Sequence, residues 1–448
     1  MLPALPLLLT LPMATVGDHA TVVDIRSETG AQVRALKQAQ GVAWWVELGN
    51  TLLLVSDGEI SPSLPRETRV LGTLDNVQNG ELVLRATGCA AQDDVAGKLL
   101  AVGPRWQLRR LMPDESMPAT ANSEESWRQV RHNEVVAHRY ALDAALAAPP
   151  NPLIQPMVDH IDTVRWFADL TQLATWDRSS YGTTGISAAR DWIADQFTAQ
   201  GLVATKPDFT MPGNSGTITR QNVIGTWTGT TLPNEWVVVG AHYDSRNANI
   251  HTVTTTPGAE DNASGCAGVI EMARALVPFK PQRSILFMCY AGEEQGLYGS
   301  TRHVQALQAS GDIAKITSVV VMDMIGYSAD NHLDAQYEAY ATWQSYMDRF
   351  GAAAATYVPD LNVVISTNPF GSDHMPYLDA GKQTVLGIEY DNEVYPYYHM
   401  STDTPAHVGP NAQAMGGAIL KTNVAVLAEL VGASDRIFAD DFEPAAAR

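Results

Sequence analysis

The sequence of 448 residues has few cysteines, few basic residues and no long apolar run. Its three cysteines are an odd set, and we expect Cys266 and Cys289, in a predicted helix and a predicted strand, to be small buried residues rather than a disulfide. No stretch reaches about 18 consecutive strongly apolar residues, so no transmembrane helix is predicted. Internal repeats, a phosphate-binding glycine loop and a nucleophile elbow are also missing, which excludes the protein classes that those features define.

The charge balance is strongly acidic. Lysine and arginine total 29 against 49 aspartates and glutamates, so the formal net charge is -20 at pH 7. This charge argues against nucleic acid and anionic membrane surfaces as partners, and it favours basic peptides or amino termini. A length of 448 residues with 45% hydrophobic content predicts two or more domains with sizeable cores. For the oligomeric state we expect a monomer.

Two adjacent acids, Glu293 and Glu294, follow an apolar strand-like segment in the run ILFMCYAGEEQGLYGS. In metal-assisted hydrolysis one such acid can bind a metal while its neighbour serves as general base. Candidate partners with metal-ligand chemistry are His242 in GAHYDS, Asp261 in PGAEDNASG, Asp323 in VVMDMIGY and His399 in YPYYHMSTDT. Asp244 lies two residues beyond His242 on an extended segment, so we expect its carboxylate to orient the imidazole.

Three short apolar runs, EWVVVGAHYD, RSILFMCYAGEE and SVVVMDM, each end in one of these polar residues. Such runs are typical of buried parallel strands. Asn262–Leu276 reads as a helix between the first two, with Val269, Ile270, Ala273 and Leu276 on one face and Ser264 near its start. The alternation predicts an α/β fold whose candidate site lies at the carboxyl ends of the strands.

The strings GAHYDS, PGAEDNASG, YAGEEQGLYGS, VMDMIGY, SDHMPYLDAG and YYHMSTDT together resemble the M28 family of zinc peptidases, closest to the secreted bacterial leucyl aminopeptidases. The resemblance runs from about Asn151 to about Val431. It implies a mostly parallel mixed sheet sandwiched by helices. It also implies a site with two zinc ions per chain, in which Asp261 bridges the ions, His242 and Asp323 complete one, Glu294 and His399 complete the other, and Glu293 is the general base.

The resemblance also bears on the surroundings of the site. It implies a cis peptide at Asp261-Asn262, and His374 is expected to be a structural neighbour rather than a ligand. The relatives carry a disulfide and a tyrosine just before the SDH string, and neither is present at Ile365 to Gly371. Apolar residues beside the motifs are expected to form a substrate pocket that favours Leu, Phe or Met side chains: Met324, Ile388, Tyr390 and Tyr398.

The leading functional interpretation is a secreted or periplasmic aminopeptidase that acts on peptides with a free amino terminus through metal-activated water. One alternative is a glutaminyl cyclase-like enzyme with a single zinc ion. Another is a carboxypeptidase variant, which would need a cationic clamp, and Arg246 is the only basic residue close to a metal-site motif. A metal-free binding homologue would have lost ligands or the base, and none is lost.

The chain divides into four predicted segments. Residues 1–20 suit a signal peptide, residues 151–431 form the zinc peptidase domain, and residues 432–448 form an acidic extension. Residues 21–150, the N-terminal module, are expected to be β-rich, with a hairpin of VAWWVEL and TLLLVSD around Gly49-Asn50 and an alanine-rich helix over Ser123–Ala148 before the linker APPNP. By resemblance this module is a propeptide, with a permanent accessory module as the alternative.

Overall fold

The structure is a computed structural model that describes residues 19–60, 64–78, 80–87, 95–103, 105–118, 125–140, 149–330 and 332–432. The expected signal peptide and the expected acidic extension lie almost wholly outside the described residues, as does Cys89. The residues from 149 to 432 are called the C-terminal domain below.

The strands are β1 (His19–Asp24), β2 (Val42–Gly49), β3 (Thr51–Ser56), β4 (Arg69–Asp75), β5 (Leu82–Thr87), β6 (Lys98–Gly103), β7 (Trp106–Arg110), β8 (Glu125–Gln129), β9 (Glu134–Arg139), β10 (Val203–Thr205), β11 (Asp208–Gly213), β12 (Gly216–Gln221), β13 (Val223–Trp227), β14 (Leu232–His242), β15 (Arg283–Tyr290), β16 (Ile316–Met322), β17 (Leu333–Glu338), β18 (Leu361–Ser366) and β19 (Thr384–Glu389). The α-helices are α1 (Gly30–Lys37), α2 (Gln155–Asp159), α3 (Thr163–Leu173), α4 (Thr184–Ala199), α5 (Gly265–Leu276), α6 (Tyr298–Ser310), α7 (Gln344–Tyr357), α8 (Met375–Asp379) and α9 (Ala412–Val431).

A single large sheet organises the molecule, in the order β10-β13-β15-β14-β16-β19-β17-β18-β9-β2-β3-β1-β4. Strands β15, β14, β16 and β19 run parallel to one another, and antiparallel pairs flank them. The three apolar runs of the sequence are β14, β15 and β16, as predicted. The sheet is therefore mixed with a parallel centre, which confirms the expected fold class.

Helices cover both faces of this parallel centre. Val237 and Val239 of β14 pack into the core that contains α3, α4, α5 and α9, whereas Val238 packs into the core that contains α6 and α8 on the opposite face. A strand buried on both faces needs apolar residues at successive positions, because its side chains alternate between the faces. This requirement explains the continuous run VVV in β14.

Helix α5 differs in two details from the helix predicted over Asn262–Leu276. An irregular segment at Ala259–Ser264 precedes it, with non-helical backbone angles at Asp261 and Asn262, and the α-helix begins at Gly265. The Asn262 side chain caps it by accepting a hydrogen bond from the Gly265 N–H at 2.8 Å, whereas the Ser264 hydroxyl donates to the Glu260 carbonyl at 2.7 Å. The helix is also buried nearly all round, not on one face alone, because it lies between the sheet and the helices α3, α4 and α9.

Helix α9 is long and apolar enough to cross a membrane, unlike anything expected from the sequence. However, 78% of its most apolar window is buried inside the protein. It packs against α2, α3, α5 and α7. Its apolar character is accounted for by this position in the core.

The N-terminal module continues the large sheet instead of forming a separate unit. Strand β9 pairs with β18 of the C-terminal domain, with Ala137 opposite Ser366, and on its other side β9 pairs with β2. The hairpin of β2 and β3 forms as predicted. Strands β5 to β8 make a second sheet in the order β6-β7-β5-β8. The β-rich character of the module was predicted, but its fusion with the sheet of the C-terminal domain was not.

The helix predicted over Ser123–Ala148 is wrong for the residues that the structure describes. Residues 125–129 and 134–139 are the strands β8 and β9. Trp127 and Val136 are buried in two cores of the module, and aromatic and β-branched residues favour strands when they can pack on a sheet. Tertiary packing therefore decides the structure of residues 125–139, and the alanine-rich residues 141–148 lie outside the described residues.

Candidate metal centre

The ends of three parallel strands bring the predicted residues together. His242 is the last residue of β14, Asp323 directly follows β16, and Glu293 and Glu294 lie in the turn after β15. All four side chains are buried, with at most 2% of each residue exposed. The carboxyl ends of adjacent parallel strands meet at one edge of a sheet, so residues far apart in sequence become neighbours.

Two loops complete the cluster with Asp261 and His399. The Asp261-Asn262 peptide is cis, as the resemblance implied. Asp403 ties the two loops together, because its carboxylate oxygens accept the backbone N–H groups of Glu260 at 3.0 Å and Asp261 at 3.1 Å. Asp403 lies four residues after His399, so one side chain fixes the position of both candidate ligands.

The distances between the candidate ligand atoms suit tetrahedral coordination of metal ions. Two ligand atoms at about 2.0–2.1 Å from one tetrahedral zinc ion lie roughly 3.3 Å apart. His242 Nε2 is 3.4 Å from Asp261 Oδ1 and 3.3 Å from Asp323 Oδ1. His399 Nε2 is 3.0 Å from Asp261 Oδ2 and 3.4 Å from Glu294 Oε2. The two oxygens of Asp261 therefore face two different histidines.

The electrostatics of the cluster favour bound cations. Four buried carboxylates, those of Asp261, Glu293, Glu294 and Asp323, surround two imidazoles. Burial disfavours a charged His242, but the carboxylates of Glu293 and Asp323 raise its pKa well above the usual range. Burial together with the Asp261 carboxylate raises the pKa of Glu294.

Several of the candidate ligand atoms have no hydrogen bond within the described residues. Both carboxylate oxygens of Asp261 and of Glu294, and Nε2 of His399, make none to the described residues. Buried polar atoms are normally satisfied, and burying several carboxylates together requires opposing charge. The residues thus fit a site for divalent cations.

Glu293 is held from its backbone. Its N–H donates to Asp244 Oδ1 at 3.3 Å, and the preceding Gly292 N–H donates to Ser180 Oγ at 2.8 Å. Ser180 in turn donates its hydroxyl to Asp244 Oδ2 at 2.9 Å. The Glu293 carboxylate lies 3.9 Å from His242 Nε2, and burial raises its pKa well above the usual range. A carboxylate in this position and environment can act as a proton acceptor.

Asp244 was expected to orient the His242 imidazole through its carboxylate, but its backbone carbonyl lies closer to the imidazole. His242 Nδ1 lies 3.1 Å from the backbone carbonyl of Asp244 and 3.6 Å from its carboxylate oxygen. A hydrogen bond from Nδ1–H to that carbonyl leaves Nε2 free to face Asp261 and Asp323. The carboxylate of Asp244 instead fixes the turn that carries Glu293.

Residues 222–423 match the family model described as peptidase family M28. This segment of the chain, somewhat less than half of its length, is similar to that family. The match covers the strands and loops that supply all six clustered residues, from β13 to most of α9. The resemblance read from the motifs is thereby confirmed.

Curated relatives align with parts of this chain. It is 33% identical over 196 residues to a probable zinc metalloprotease of Pyrenophora teres f. teres, covering 40% of this chain and 40% of that protein. It is 31% identical over 251 residues to leupeptin-inactivating enzyme 1 of Streptomyces exfoliatus, covering 54% of this chain and 52% of that protein. The chain thus spans about 40% of the length of the first curated relatives that it matches.

Solved structures share the fold of this chain. The LapA aminopeptidase of Legionella pneumophila superposes with a TM-score of 0.53 at 19% identity, covering 78% of this chain and 98% of that one. An aminopeptidase from Aneurinibacillus sp. strain AM-1 gives a TM-score of 0.51 at 16% identity, covering 62% of this chain and 95% of that one. At these identities the comparison establishes the fold.

Three of the four residues expected to form a substrate pocket make contacts in the protein core or with the N-terminal module. Tyr390 donates its hydroxyl to the Leu48 carbonyl at 3.0 Å, at the tip of the N-terminal hairpin. Met324 and Ile388 are buried together in the core beside α6 and α8. The aromatic ring of Tyr398, by contrast, stacks on His399 with a centroid distance of 3.8 Å. The substrate pocket itself stays a prediction.

His374 is a structural residue, as expected. It is fully buried, its Nε2 lies 3.3 Å from Glu338 Oε1, and burial lowers its pKa. Cys266 and Cys289 are free and buried, which confirms that they form no disulfide.

Several supporting residues were missed by the sequence analysis. The buried Arg178 donates to the backbone carbonyls of Leu173, Tyr243, Pro257 and Gly258, and so joins the end of β14 to the loop that carries Asp261. Ser180 was missed as well. Neither lies in a recognisable motif, since each acts through contacts that only the folded chain creates. Asp403 lies in the quoted string YYHMSTDT, which was the available signal for it.

Proposed function

We propose that this chain is a two-zinc aminopeptidase that removes amino-terminal residues, preferentially hydrophobic ones, from peptides. The observation that carries the proposal is that the two carboxylate oxygens of Asp261 face different histidines. Oδ1 lies 3.4 Å from His242 Nε2, and Oδ2 lies 3.0 Å from His399 Nε2. A carboxylate whose two oxygens face two separate sets of donors suits a bridging ligand in a two-metal hydrolytic site.

In this proposal Asp261 would be shared by the two ions, His242 and Asp323 would complete the first set of ligands, and Glu294 and His399 would complete the second. Three protein ligands for each ion leave an open position, as catalytic zinc sites require. Bound zinc supplies Lewis-acid chemistry there, polarising a carbonyl oxygen and lowering the pKa of a water molecule toward about 7.

The protein's own part in the reaction is the movement of one proton. Glu293 accepts this proton from the attacking water as the new carbon–oxygen bond forms at the scissile carbonyl. It then donates the proton to the leaving amine nitrogen as the carbon–nitrogen bond breaks. The Asp244–Ser180 hydrogen bond at 2.9 Å supports this role, because it holds the turn in which Glu293 lies.

Recognition of a free amino terminus follows from the charge of the site. The α-amino group is a cation at neutral pH, and the buried carboxylates around Asp261 and Glu294 provide a negative field for it. A carboxypeptidase would instead need a cation such as Arg246, whose Nε donates to the Asn247 carbonyl at 3.2 Å. Relatives in fold are named aminopeptidases, which supports the same choice.

Removal and return of zinc test the proposal directly. The purified full-length protein, stripped with a chelator, is expected to lose hydrolysis of a Leu amino-terminal substrate and to regain it with zinc. Elemental analysis of the restored protein is expected to give two zinc ions per chain. Substrates that begin with Lys, Glu and Gln, and calcium in place of zinc, serve as controls.

The alternatives give different outcomes in the same assay. One zinc ion per chain together with cyclisation of an amino-terminal Gln would support the glutaminyl cyclase-like alternative. Release of the carboxyl-terminal residue would support the carboxypeptidase alternative. Full activity in the stripped protein would contradict a metallopeptidase altogether.

Two further parts of the proposal concern the whole protein. We propose that it is monomeric, and that it acts outside the cytoplasm because residues 1–20 have the apolar character of an export signal. Gel filtration of the purified protein tests the first, and localisation of the full-length chain in cell fractions tests the second. A dimer, or retention in the cytoplasm, would contradict the respective part.

A further inference from the structure

One arginine of the N-terminal module extends into the C-terminal domain. Arg105 directly precedes β7, and only 4% of the residue is exposed. Its Nη2 donates to the backbone carbonyls of Phe370 and Gly371, the latter at 2.5 Å. Both carbonyls belong to the loop that follows β18. The side chain of Phe370 packs in return on the apolar core of the N-terminal module.

The loop held by Arg105 continues directly to the candidate metal centre. Ser372, the next residue after Gly371, donates its hydroxyl to Asp323 Oδ2 at 2.7 Å. The other oxygen of that carboxylate, Oδ1, lies 3.3 Å from His242 Nε2. The direction of the Asp323 carboxylate therefore depends on where the loop places Ser372.

A buried carboxylate fixes the same loop from its other side. Glu338, at the end of β17, is fully buried, and its Oε1 accepts the Phe370 N–H at 3.3 Å. The same oxygen lies 3.4 Å from Arg105 Nε and 3.3 Å from His374 Nε2. Arg105 thus contacts the loop both directly, through its carbonyls, and indirectly, through Glu338.

We propose that Arg105 is a positioning residue for the metal centre, acting through Gly371 and Ser372 on the carboxylate of Asp323. The inference rests on the proposed function, since it takes Asp323 as a zinc ligand. It makes the N-terminal module a permanent part of the enzyme, because the module supplies a side chain on which the geometry of the site depends. Groups that orient metal ligands typically change metal affinity by about 10–100-fold when they are removed.

Zinc affinity in the full-length protein tests this role. Arg105→Met is expected to lower the affinity of the protein for one of the two zinc ions by about 10–100-fold in a chelator competition. The affinity for the second ion is expected to stay unchanged. The matched control is Arg26→Met, which removes another contact between the module and the C-terminal domain, the 2.6 Å ion pair of Arg26 with Asp330. That variant is expected to bind both ions like the wild type.

A double-mutant cycle tests the route through Ser372. Ser372→Ala is expected to lower the affinity for the same ion. The double variant with Arg105→Met is expected to lose little more zinc affinity than either single variant. If Arg105→Met does not fold, Arg105→Lys keeps a cation beside Glu338 but cannot hold both carbonyls in the same way, and it is expected to fold with reduced zinc affinity. Wild-type affinity in a folded Arg105 variant or in Ser372→Ala, or additive losses, would overturn the inference. Absence of zinc binding in the wild type would instead overturn the proposed function.

Discussion

Replacing Glu293 with glutamine is expected to lower kcat for a Leu amino-terminal substrate by about 10²–10⁴-fold, the usual contribution of a general base. The amide has nearly the same shape as the carboxylate but cannot accept and return the proton. Zinc content is expected to stay unchanged, because the proposed assignment gives the zinc ligands to other side chains. Measurement of kcat and KM at saturating zinc, with elemental analysis of the same samples, checks both parts.

The position of Glu293 explains why its replacement should leave the rest of the site intact. Its turn is held by backbone N–H donations to Asp244 and Ser180, which the replacement leaves in place. The neighbouring Glu294→Gln provides a matched control, since it makes the same chemical change one residue away. That variant is expected to lose zinc affinity. Wild-type kcat in Glu293→Gln, or loss of zinc equal to that of Glu294→Gln, would contradict the assignment of the base.

The arrangement of the metal centre could be predicted largely because its residues follow recognisable strands. An apolar run such as VVVGAH indicates a buried strand and the position of its carboxyl end. Neighbouring parallel strands end at the same edge of the sheet. His242, Asp323 and the two adjacent glutamates were therefore expected to meet. Asp261 and His399 lie in loops, and their inclusion depended on the resemblance to the M28 family.

The supporting residues could not be predicted in the same way. Arg178 and Ser180 act through backbone groups of segments about 65 to 112 residues away in sequence. Nothing in the local pattern distinguishes them from ordinary polar residues of a loop. Such contacts are created by tertiary packing, which a pattern of hydrophobic and polar residues does not encode residue by residue.

In the N-terminal module, too, local structure could be predicted from the sequence, whereas pairing between distant strands could not. Apolar runs on both sides of the turn Gly49-Asn50 indicate the hairpin of β2 and β3. Strand β9 pairs with β18, with Ala137 opposite Ser366, and no local signal specifies which distant strand β9 will pair with. The same lack of long-range information made the alanine-rich stretch after Ser123 resemble a helix, because its strands are stabilised by partners far away in sequence.

Cutting the chain between the module and the C-terminal domain is expected to leave one complex, and separating the two pieces is expected to abolish activity. The experiment places the recognition site of a specific protease between Ala148 and Pro149 of the full-length protein. After cleavage, both pieces are expected to elute together from gel filtration with their zinc and activity. After denaturation and removal of the module, the piece that begins at Pro149 is expected neither to refold nor to regain activity.

The expected loss follows from what the module contributes to the interface. Without Arg105, the fully buried Glu338 would lose a cation, and removing one partner of a buried ion pair costs roughly 3–5 kcal/mol. Strand β18 would lose its pairing with β9 and become an exposed edge. Tyr390 would also lose its hydrogen bond to the Leu48 carbonyl. Because domains are stable by only about 5–15 kcal/mol, these losses together are expected to unfold the C-terminal domain.

The uncleaved protein carrying the same insertion, taken through the same denaturation and refolding, is the control for irreversible damage. A piece starting at Pro149 that elutes alone as a folded enzyme with full zinc content would identify the module as a removable propeptide. A propeptide is needed only until folding is complete, so the C-terminal piece would stay active without it. A module that holds the loop of Ser372 is needed in every turnover, so the C-terminal piece would be inactive without it. The shared sheet of β18 and β9 and the buried contact of Arg105 with Glu338 favour the second outcome.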